Sequence, residues 1–195
     1  LRGRARKYSM NDEAAANQEL EVLLNRVGAL AAKRVDKADL PLFRAFLHHY
    51  YEMASQETLK LRPPGELLEA AARPCERVGG RKPGELLIQV RPPLDAQAPG
   101  SAGFATVRTA VEDMPLLYDS VGMAVRDAGV SIDWTVHPVL RVKRDKGKLN
   151  EVFAVARAGS DGEADSLIHV ECEGLARPED YPLLERKLRD VIGEL

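Results

Sequence analysis

The chain has 195 residues, 45% of them hydrophobic and 30% charged, which predicts one sizeable domain or a compact domain preceded by a smaller helical element. Its 28 basic and 30 acidic side chains leave a formal net charge of -2. This balance provides no chain-wide field that would attract nucleic acid or a membrane, so we expect neither as a partner.

The first part of the chain has the pattern of helices. Apolar residues recur at helical spacing over residues 12–34, and a second amphipathic helix follows Asp39, an N-cap candidate. A third helix is predicted over residues 64–75, where Pro74 is expected to end it. The glycines and prolines that follow predict a linker at residues 77–85.

Strand and helix patterns alternate after the linker. The predicted order is strand, strand, helix, strand, strand, strand, helix. The strands are predicted at residues 85–90, 104–113, 131–144, 149–156 and 166–173, and the helices run from Pro115 to Gly129 and from Pro178 onward.

Three of these elements have a clear apolar face. Both helices repeat apolar residues at spacings of four, three and four, as expected of helices that lie flat on a sheet. Their faces are Leu117, Val121, Ala124 and Ala128 in the first helix, and Leu184, Leu188, Val191 and Leu195 in the second. Alternation in the long strand predicts one face made of Ile132, Trp134, Val136, Pro138, Leu140 and Val142.

Several segments resemble a known family. "EDMPLLYDSV" (112–121), "HPVLRVKRD" (137–145) and "SLIHVECE" (166–173) are similar, in this order, to the N-terminal region of the very large bacterial NAD-dependent glutamate dehydrogenases. The upstream "FLHHYYEMASQETL" (46–59) is similar to the segment that precedes that region, so the resemblance covers residues 43–195. The segment "HPVLRVKRD" is the most specific of these matches.

The resemblance implies an α+β fold, an ACT-like, ferredoxin-type antiparallel sheet covered by two helices. With the helical patterns, it divides the chain into an N-terminal helical segment (1–76), a linker (77–85) and the ACT-like domain (86–195). A ferredoxin-type sheet has strand order 4-1-3-2, yet no fourth strand follows the last helix. We therefore expect the strand at residues 85–90 to take the vacant place, antiparallel beside the strand at 104–113.

The resemblance also implies a function. The dehydrogenase active site of the family lies far downstream, and no G-x-G-x-x-G loop follows a strand here, so we expect a non-catalytic domain that holds neither NAD nor a metal. Its role would be assembly of a homo-oligomer and regulation of the parent enzyme, which converts L-glutamate to 2-oxoglutarate and ammonium with NAD. The rest of the parent chain would be its partner.

The alternative function is sensing of a small amino-acid effector. ACT domains that bind ligands have a turn resembling Asp-x-Pro-Gly-Leu. The corresponding turn here is Asp113, Met114, Pro115, Leu116 and Leu117, with a leucine in place of the glycine. The side chain of Leu116 is expected to crowd the pocket. Asp113 either caps the following helix or contacts the amino group of an effector.

Other residues that could perform chemistry favour structural roles. His137 and His169 lie on predicted strands without enough partners for catalysis or zinc, and His169 is expected to face away from the two helices. His48 and His49 are adjacent on a helix and are expected to point in different directions, the wrong spacing for a shared metal. Ser120 lies within a helix and not on the strained turn that a nucleophilic serine uses.

Two further segments predict contacts rather than chemistry. The basic run at residues 141–148 has no aromatic stacking platform, so we expect a solvated hairpin end or a subunit contact and not a nucleic-acid site. The long strand at residues 131–144 is expected to contribute to a subunit or domain contact, since open sheets leave unpaired backbone groups at their edges.

Cysteine use and the chain ends bear on the compartment. The chain has only Cys75 and Cys172, which indicates a reducing compartment, and we expect a cytoplasmic protein with Cys172 as a buried, inert thiol. No apolar run approaches the ~20 residues that span a bilayer, and the N-terminus lacks the apolar stretch of a signal peptide. Because the chain starts at Leu1 and not at Met, we expect a piece of a longer protein.

Overall fold

The structure is a computed structural model that describes residues 10–93, 104–154, 162–175 and 177–195. In these ranges the elements follow one another in the order α1 (Met10–Ala31), α2 (Leu40–Tyr51), α3 (Gln56–Lys60), α4 (Pro64–Gly80), β1 (Leu87–Arg91), β2 (Ala105–Glu112), α5 (Leu117–Arg126), β3 (Ser131–Val136), β4 (Val139–Asp145), β5 (Lys148–Ala154), β6 (Glu163–Glu173) and α6 (Asp180–Gly193). Within these ranges no helix is long and apolar enough to cross a bilayer.

The six strands form one antiparallel sheet, which confirms the predicted α+β fold with an antiparallel sheet. Its order is β1-β2-β6-β4-β5, and β3 also pairs with β6. Strands β3 and β4 lie end to end along β6, because β3 pairs with residues 169–173 and β4 with residues 163–166. Strand β1 lies antiparallel beside β2, as predicted for the vacant place of a ferredoxin-type sheet.

The predicted long strand at residues 131–144 is interrupted. His137 and Pro138 separate β3 from β4, because a proline has no N–H to donate to the ladder. A shift of register between Ile132 and Trp134 places these two side chains in different apolar clusters. The prediction that Ile132 shares the face of Trp134 is therefore wrong. The bulge places the Ile132 side chain on the opposite side of the sheet from Trp134.

Helices α5 and α6 cover one face of the sheet. Leu117, Val121, Leu184 and Leu188 are each at most 2% exposed and pack against apolar residues of β1, β2 and β6, as the helical spacing predicted. Helix α5 ends before Gly129, whose φ of 77° is left-handed. The face of α6 continues through Ile192, which is 4% exposed, and not through Leu195, which is 50% exposed.

Helices α1 to α4 cover the other face, so the sheet is the middle layer of three. Aromatic residues of α2, Phe46, Tyr50 and Tyr51, are at most 1% exposed and belong to the same apolar cluster as Trp134 and Val136 of β3. Alternate residues of β2 and β6 contribute to the two clusters, as the strand period requires. The N-terminal helices therefore share a core with the sheet.

The prediction that Pro74 ends the third helix is wrong. Helix α4 passes through Pro74 and reaches Gly80, so residues 77–80 of the predicted linker are helical. A proline in a helix interior costs about 3 kcal/mol. Here Pro74 is itself buried, as are Leu67 and Val78 on either side of it, so packing along the helix opposes that cost.

Candidate functional site

The turn between β2 and α5 contains the five residues predicted to bind an effector. The Asp113 N–H donates to the Ala164 carbonyl at 2.8 Å, which ties the end of β2 to β6. Helix α5 has Leu116 at its N-cap position and no side-chain cap. The prediction that Asp113 caps this helix is therefore wrong, because Asp113 lies three positions before the N-cap residue.

The side chains of the turn point to different environments. Leu117 is buried, and Met114 is half-buried against the core under α5. Pro115 and Leu116 are exposed, Leu116 to 68%, in an open turn. Effector binding by these residues stays a prediction.

His137 connects this turn to the sheet. Its ring stacks on that of Tyr118 with centroids 4.8 Å apart, and its Nε2 lies 2.8 Å from the Ser166 hydroxyl. Burial lowers the pKa of His137, and the negative charge of Asp113 opposes that shift. A serine, a histidine and an aspartate thus lie together, but Ser166 is 0% exposed, and a substrate has no access to its hydroxyl. The geometry favours a structural role for His137, which joins α5 to β6.

Polar residues form two rows across the opposite face of the sheet. Alternate residues of β1, β2 and β6 point toward α4, while the apolar residues between them point toward α5 and α6. The register pairs Gln89 with Arg108 and Arg108 with His169 in one row. The second row pairs Arg91 with Thr106 and Thr106 with Glu171.

Hydrogen bonds connect these rows to each other. Arg108 Nε donates to His169 Nδ1 at 3.2 Å, so the proton of the neutral ring lies on Nε2, which is 3.3 Å from Glu171 Oε1. His169 is 1% exposed and faces away from α5 and α6, as predicted. Burial lowers the pKa of His169, which favours this neutral form. Burial raises the pKa of Glu171, but the hydrogen bond from His169 and the charge of Arg62 bring it below its usual range.

A groove of about 900 Å³ lies between these rows and α4. Its charged lining among the described residues consists of arginines and glutamates, namely Arg34, Arg62, Arg73, Arg91, Arg108, Glu66, Glu69 and Glu171. Arg62 pairs with Glu171 at 2.7 Å and lies over the Trp134 ring at 4.1 Å. Sequence reasoning missed the groove. The signal that could have found it is the alternation of Gln89, Arg91, Thr106 and Arg108 with apolar residues.

A buried ion-pair cluster fastens the end of α4 to the sheet, and it too was missed. Asp165 of β6 is 0% exposed and accepts hydrogen bonds from the guanidinium groups of Arg81 and Arg144. Arg144 also donates to the Val78 carbonyl of α4 at 2.9 Å. Arg144 belongs to the basic run predicted to be a solvated hairpin end or a subunit contact. That prediction is wrong for this residue, whose side chain is 11% exposed and internally paired.

The two histidines of α2 come closer together than predicted. The ring centroids of His48 and His49 are 5.3 Å apart, and one donor atom of each lies within 4.8 Å of a Glu52 oxygen. Their spacing is therefore compatible with a shared cation, contrary to the prediction. Both imidazoles already have partners, since His48 lies 2.9 Å from Glu21 and His49 lies 3.2 Å from Glu52.

The thiols have the environments of unreactive cysteines. Cys172 is buried, as predicted, and burial raises its pKa to about 11. Cys75 is half-buried, and burial raises its pKa to about 12. Neither thiol has appreciable thiolate character near neutral pH.

Comparison with known proteins gives two matches. The model of the family described as glutamate dehydrogenase, ACT1 domain, matches residues 46–188. An NAD-specific glutamate dehydrogenase from Pseudomonas aeruginosa is 31% identical over 175 residues, which cover 86% of this chain and 10% of that protein. The chain thus spans about a tenth of the length of this curated relative. No solved structure matches.

Proposed function

Because the chain belongs to the family of glutamate dehydrogenase ACT1 domains, we propose that it is a non-catalytic domain that assembles and regulates a large NAD-dependent glutamate dehydrogenase. The reaction of the parent enzyme would convert L-glutamate to 2-oxoglutarate and ammonium with NAD, in another part of the parent chain. The parent would be a cytoplasmic homo-oligomer. Assembly is the part of this proposal that the geometry supports best.

The observation that carries the proposal is the free edge of β3. This strand pairs with β6 along one side, and no described strand pairs with its other side. Its outward N–H and C=O groups therefore have no ladder partner among the described residues. Such an edge is a template for pairing with another strand, and two copies related by a twofold axis would each offer the same edge.

Exposed apolar side chains of the neighbouring α5 and of its N-cap residue extend this edge into a surface. Leu116, Tyr118 and Met123 are 68%, 45% and 58% exposed. A shallow depression between α5 and β3 is lined by residues of both elements, including Gly122 and Thr135. A strand edge beside exposed apolar side chains is the composition expected of a contact between subunits.

Light scattering over a concentration series tests assembly by the chain. We expect a dimer or larger species whose fraction grows with concentration, and we expect Met123→Glu to shift it toward monomer by placing a charge in the contact. Leu183→Glu is the matched control, because Leu183 is 54% exposed on α6, away from β3. A strictly monomeric chain, or equal effects of the two substitutions, would contradict the proposal.

The effector turn is a second candidate because Leu116, with φ 64°, retains the backbone conformation that a glycine adopts easily. Calorimetric titration with free amino acids distinguishes the two functions. We expect no saturable heat that Asp113→Ala removes. Millimolar or tighter binding that disappears in Asp113→Ala would instead establish sensing at the turn.

A further inference from the structure

We propose that the groove between α4 and the face of β1 and β2 binds a small dianion, either a phosphate ester or a dicarboxylate. The groove lies on the opposite side of the sheet from α5 and α6. This inference goes beyond the assembly role, since it assigns a ligand to a face that the assembly proposal does not use.

Charge pairing leaves three arginines of the groove without a carboxylate. Glu69 pairs with Arg34, and both Glu171 and Glu66 pair with Arg62. The remaining arginines are Arg73, Arg91 and Arg108, none of which forms an ion pair with a described residue. Among the described residues, five arginines and three glutamates line the groove, and this excess of two positive charges matches a dianion.

Arg108 is the residue that most needs an anion. It is half-buried in the sheet face, and its only described hydrogen bond is the one from Nε to His169. Burial lowers the pKa of Arg108, and the positive charges of Arg73 and Arg77 lower it further, while the interactions with Tyr50 and Glu171 oppose this shift without reversing it. A buried guanidinium beside like charges is unfavourable unless a counter-charge is present. A bound anion would supply that charge.

Two of the three guanidinium groups are held in place before any ligand binds. Arg108 is fixed by its hydrogen bond to His169. Gln89 is 6% exposed, and with its amide oxygen turned toward Arg91 it accepts two hydrogen bonds at 2.7 and 2.8 Å. Planar, fixed guanidinium forks match phosphate and carboxylate oxygens in pairs. The volume of about 900 Å³ falls in the range of small-molecule sites.

Titration of the chain with inorganic phosphate and with succinate, at constant ionic strength, tests the proposal. Acetate, a monoanion, is the control ligand. We expect saturable heat and a raised Tm with at least one dianion and no response to acetate. A response to phosphate alone identifies a phosphate ester as the ligand, and a response to succinate alone identifies a dicarboxylate. A response to both ligands indicates a site that recognises the double negative charge and not the shape of the anion. No response to either dianion, or an equal response to acetate, would overturn the proposal.

Two substitutions locate the binding. Arg73→Gln and Arg91→Gln each remove one positive charge from the groove. We expect each substitution to lower the affinity for the dianion by at least about tenfold, because one charge-assisted contact is lost. Arg189→Gln on α6 removes the same charge from an exposed residue on the far face, and should leave affinity unchanged. Equal losses in all three variants would show general charge screening and overturn the assignment.

Folding of the variants is checked without ligand. Arg73 is exposed and repels Arg108, so Arg73→Gln should leave the Tm of the free chain unchanged or raise it. A variant that binds less while remaining equally stable supports direct contact with the anion. If weaker binding appears only in variants with a lowered Tm, the groove arginines serve the fold and the proposal fails.

Discussion

Leu116 occupies a left-handed backbone conformation, with φ 64° and ψ -1°, immediately before α5. In this region the Cβ of an L-residue approaches the following carbonyl, at a cost of about 1–2 kcal/mol. The side chain is 68% exposed, so it has little packing to offset this strain. The residue therefore stores strain at the turn that begins α5.

Replacing Leu116 by glycine should stabilise the chain. We expect Leu116→Gly to raise the free energy of unfolding by about 1 kcal/mol, because glycine adopts φ 64° without a Cβ clash. Urea unfolding measures the change. Leu116→Ala is the control, since it removes the exposed side chain but keeps the Cβ, and it should not stabilise. Equal gains in both variants would assign the effect to the side chain and not to the backbone.

His169 makes the stability of the chain depend on pH. Burial lowers its pKa in the folded chain below the ordinary value of 6.5, while the unfolded chain takes up the proton near 6.5. Below that pH the unfolded state binds more protons, so stability falls as the pH drops from 6.5 toward the folded pKa. At pH 7 the histidine is mostly neutral in both states, so little of this loss is present there.

Urea unfolding between pH 7.5 and about 5 measures this dependence. His169→Gln should flatten the decline. Burial also lowers the pKa of His137, so part of the slope should persist in His169→Gln. An unchanged slope in His169→Gln would rule out His169 as its source.

The burial and orientation of single side chains could be predicted from the sequence where the helical or strand period alone determines them. Leu117 and Leu188 are buried because the helical period places them there, and the alternation of β6 correctly oriented His169. The role of Asp113 could not be predicted in this way. The proximity of Asp113 to Pro115 indicates a cap. In the structure a turn lies between the end of β2 and the start of α5, so the N-cap position falls on Leu116.

At the scale of elements, a buried ion pair anchors the end of α4 to the sheet. Arg81 follows the last residue of α4, is 2% exposed, and pairs with the fully buried Asp165 of β6. A buried charge pair of this kind stabilises little by comparison with apolar packing, but removing one partner leaves an uncompensated charge. The pair therefore specifies where the helix meets the sheet.

Asp165→Ala should destabilise the chain by about 3–5 kcal/mol, because it removes the buried counter-charge of Arg81 and leaves only the exposed carboxylate of Glu163, 3.8 Å away. Denaturant unfolding measures this loss. Glu151→Ala removes a half-exposed carboxylate that lies 3.4 Å from Lys143 and should cost less than about 1 kcal/mol. A loss in Asp165→Ala no larger than in the control would show that water or another group compensates Arg81.

Elements were predictable from local pattern, but their interruptions were not. Alternation of apolar and polar residues predicts β2, β4 and β6. The position of β1 beside β2 follows because a ferredoxin-type sheet would otherwise lack one strand there. The bulge before Trp134 depends on pairing with β6, and the passage of α4 through Pro74 depends on burial. Tertiary contacts determine both, and a window of sequence does not contain them.

At the scale of the whole molecule, the arrangement of three layers follows from the central strand. Residues 165–170 of β6 are all buried, which requires cover on both faces of the sheet. The two predicted helices of the ACT-like region provide one cover. The N-terminal helices provide the other, and this pairing of distant segments could not be predicted from helical spacing alone. Whether residues 1–76 and 86–195 fold separately stays a prediction.

The single tryptophan, Trp134, can decide whether the layers unfold together. Its ring is 4% exposed and stacks on Tyr51 of α2 at 6.4 Å, so its fluorescence reports the contact between the N-terminal helices and the sheet. Because one apolar cluster joins these layers, we expect the thermal transition seen by Trp134 to coincide with the loss of helical circular dichroism.

The same shared core predicts the behaviour of a shortened chain. Residues 86–195 alone would expose Trp134, Val136 and Leu140 to water, so we expect this fragment to bind a hydrophobic dye and to unfold without a cooperative transition. The intact chain is the control. A fragment that unfolds cooperatively, with a tryptophan as shielded as in the intact chain, would show that residues 86–195 fold by themselves and that the N-terminal helices only dock on a finished sheet.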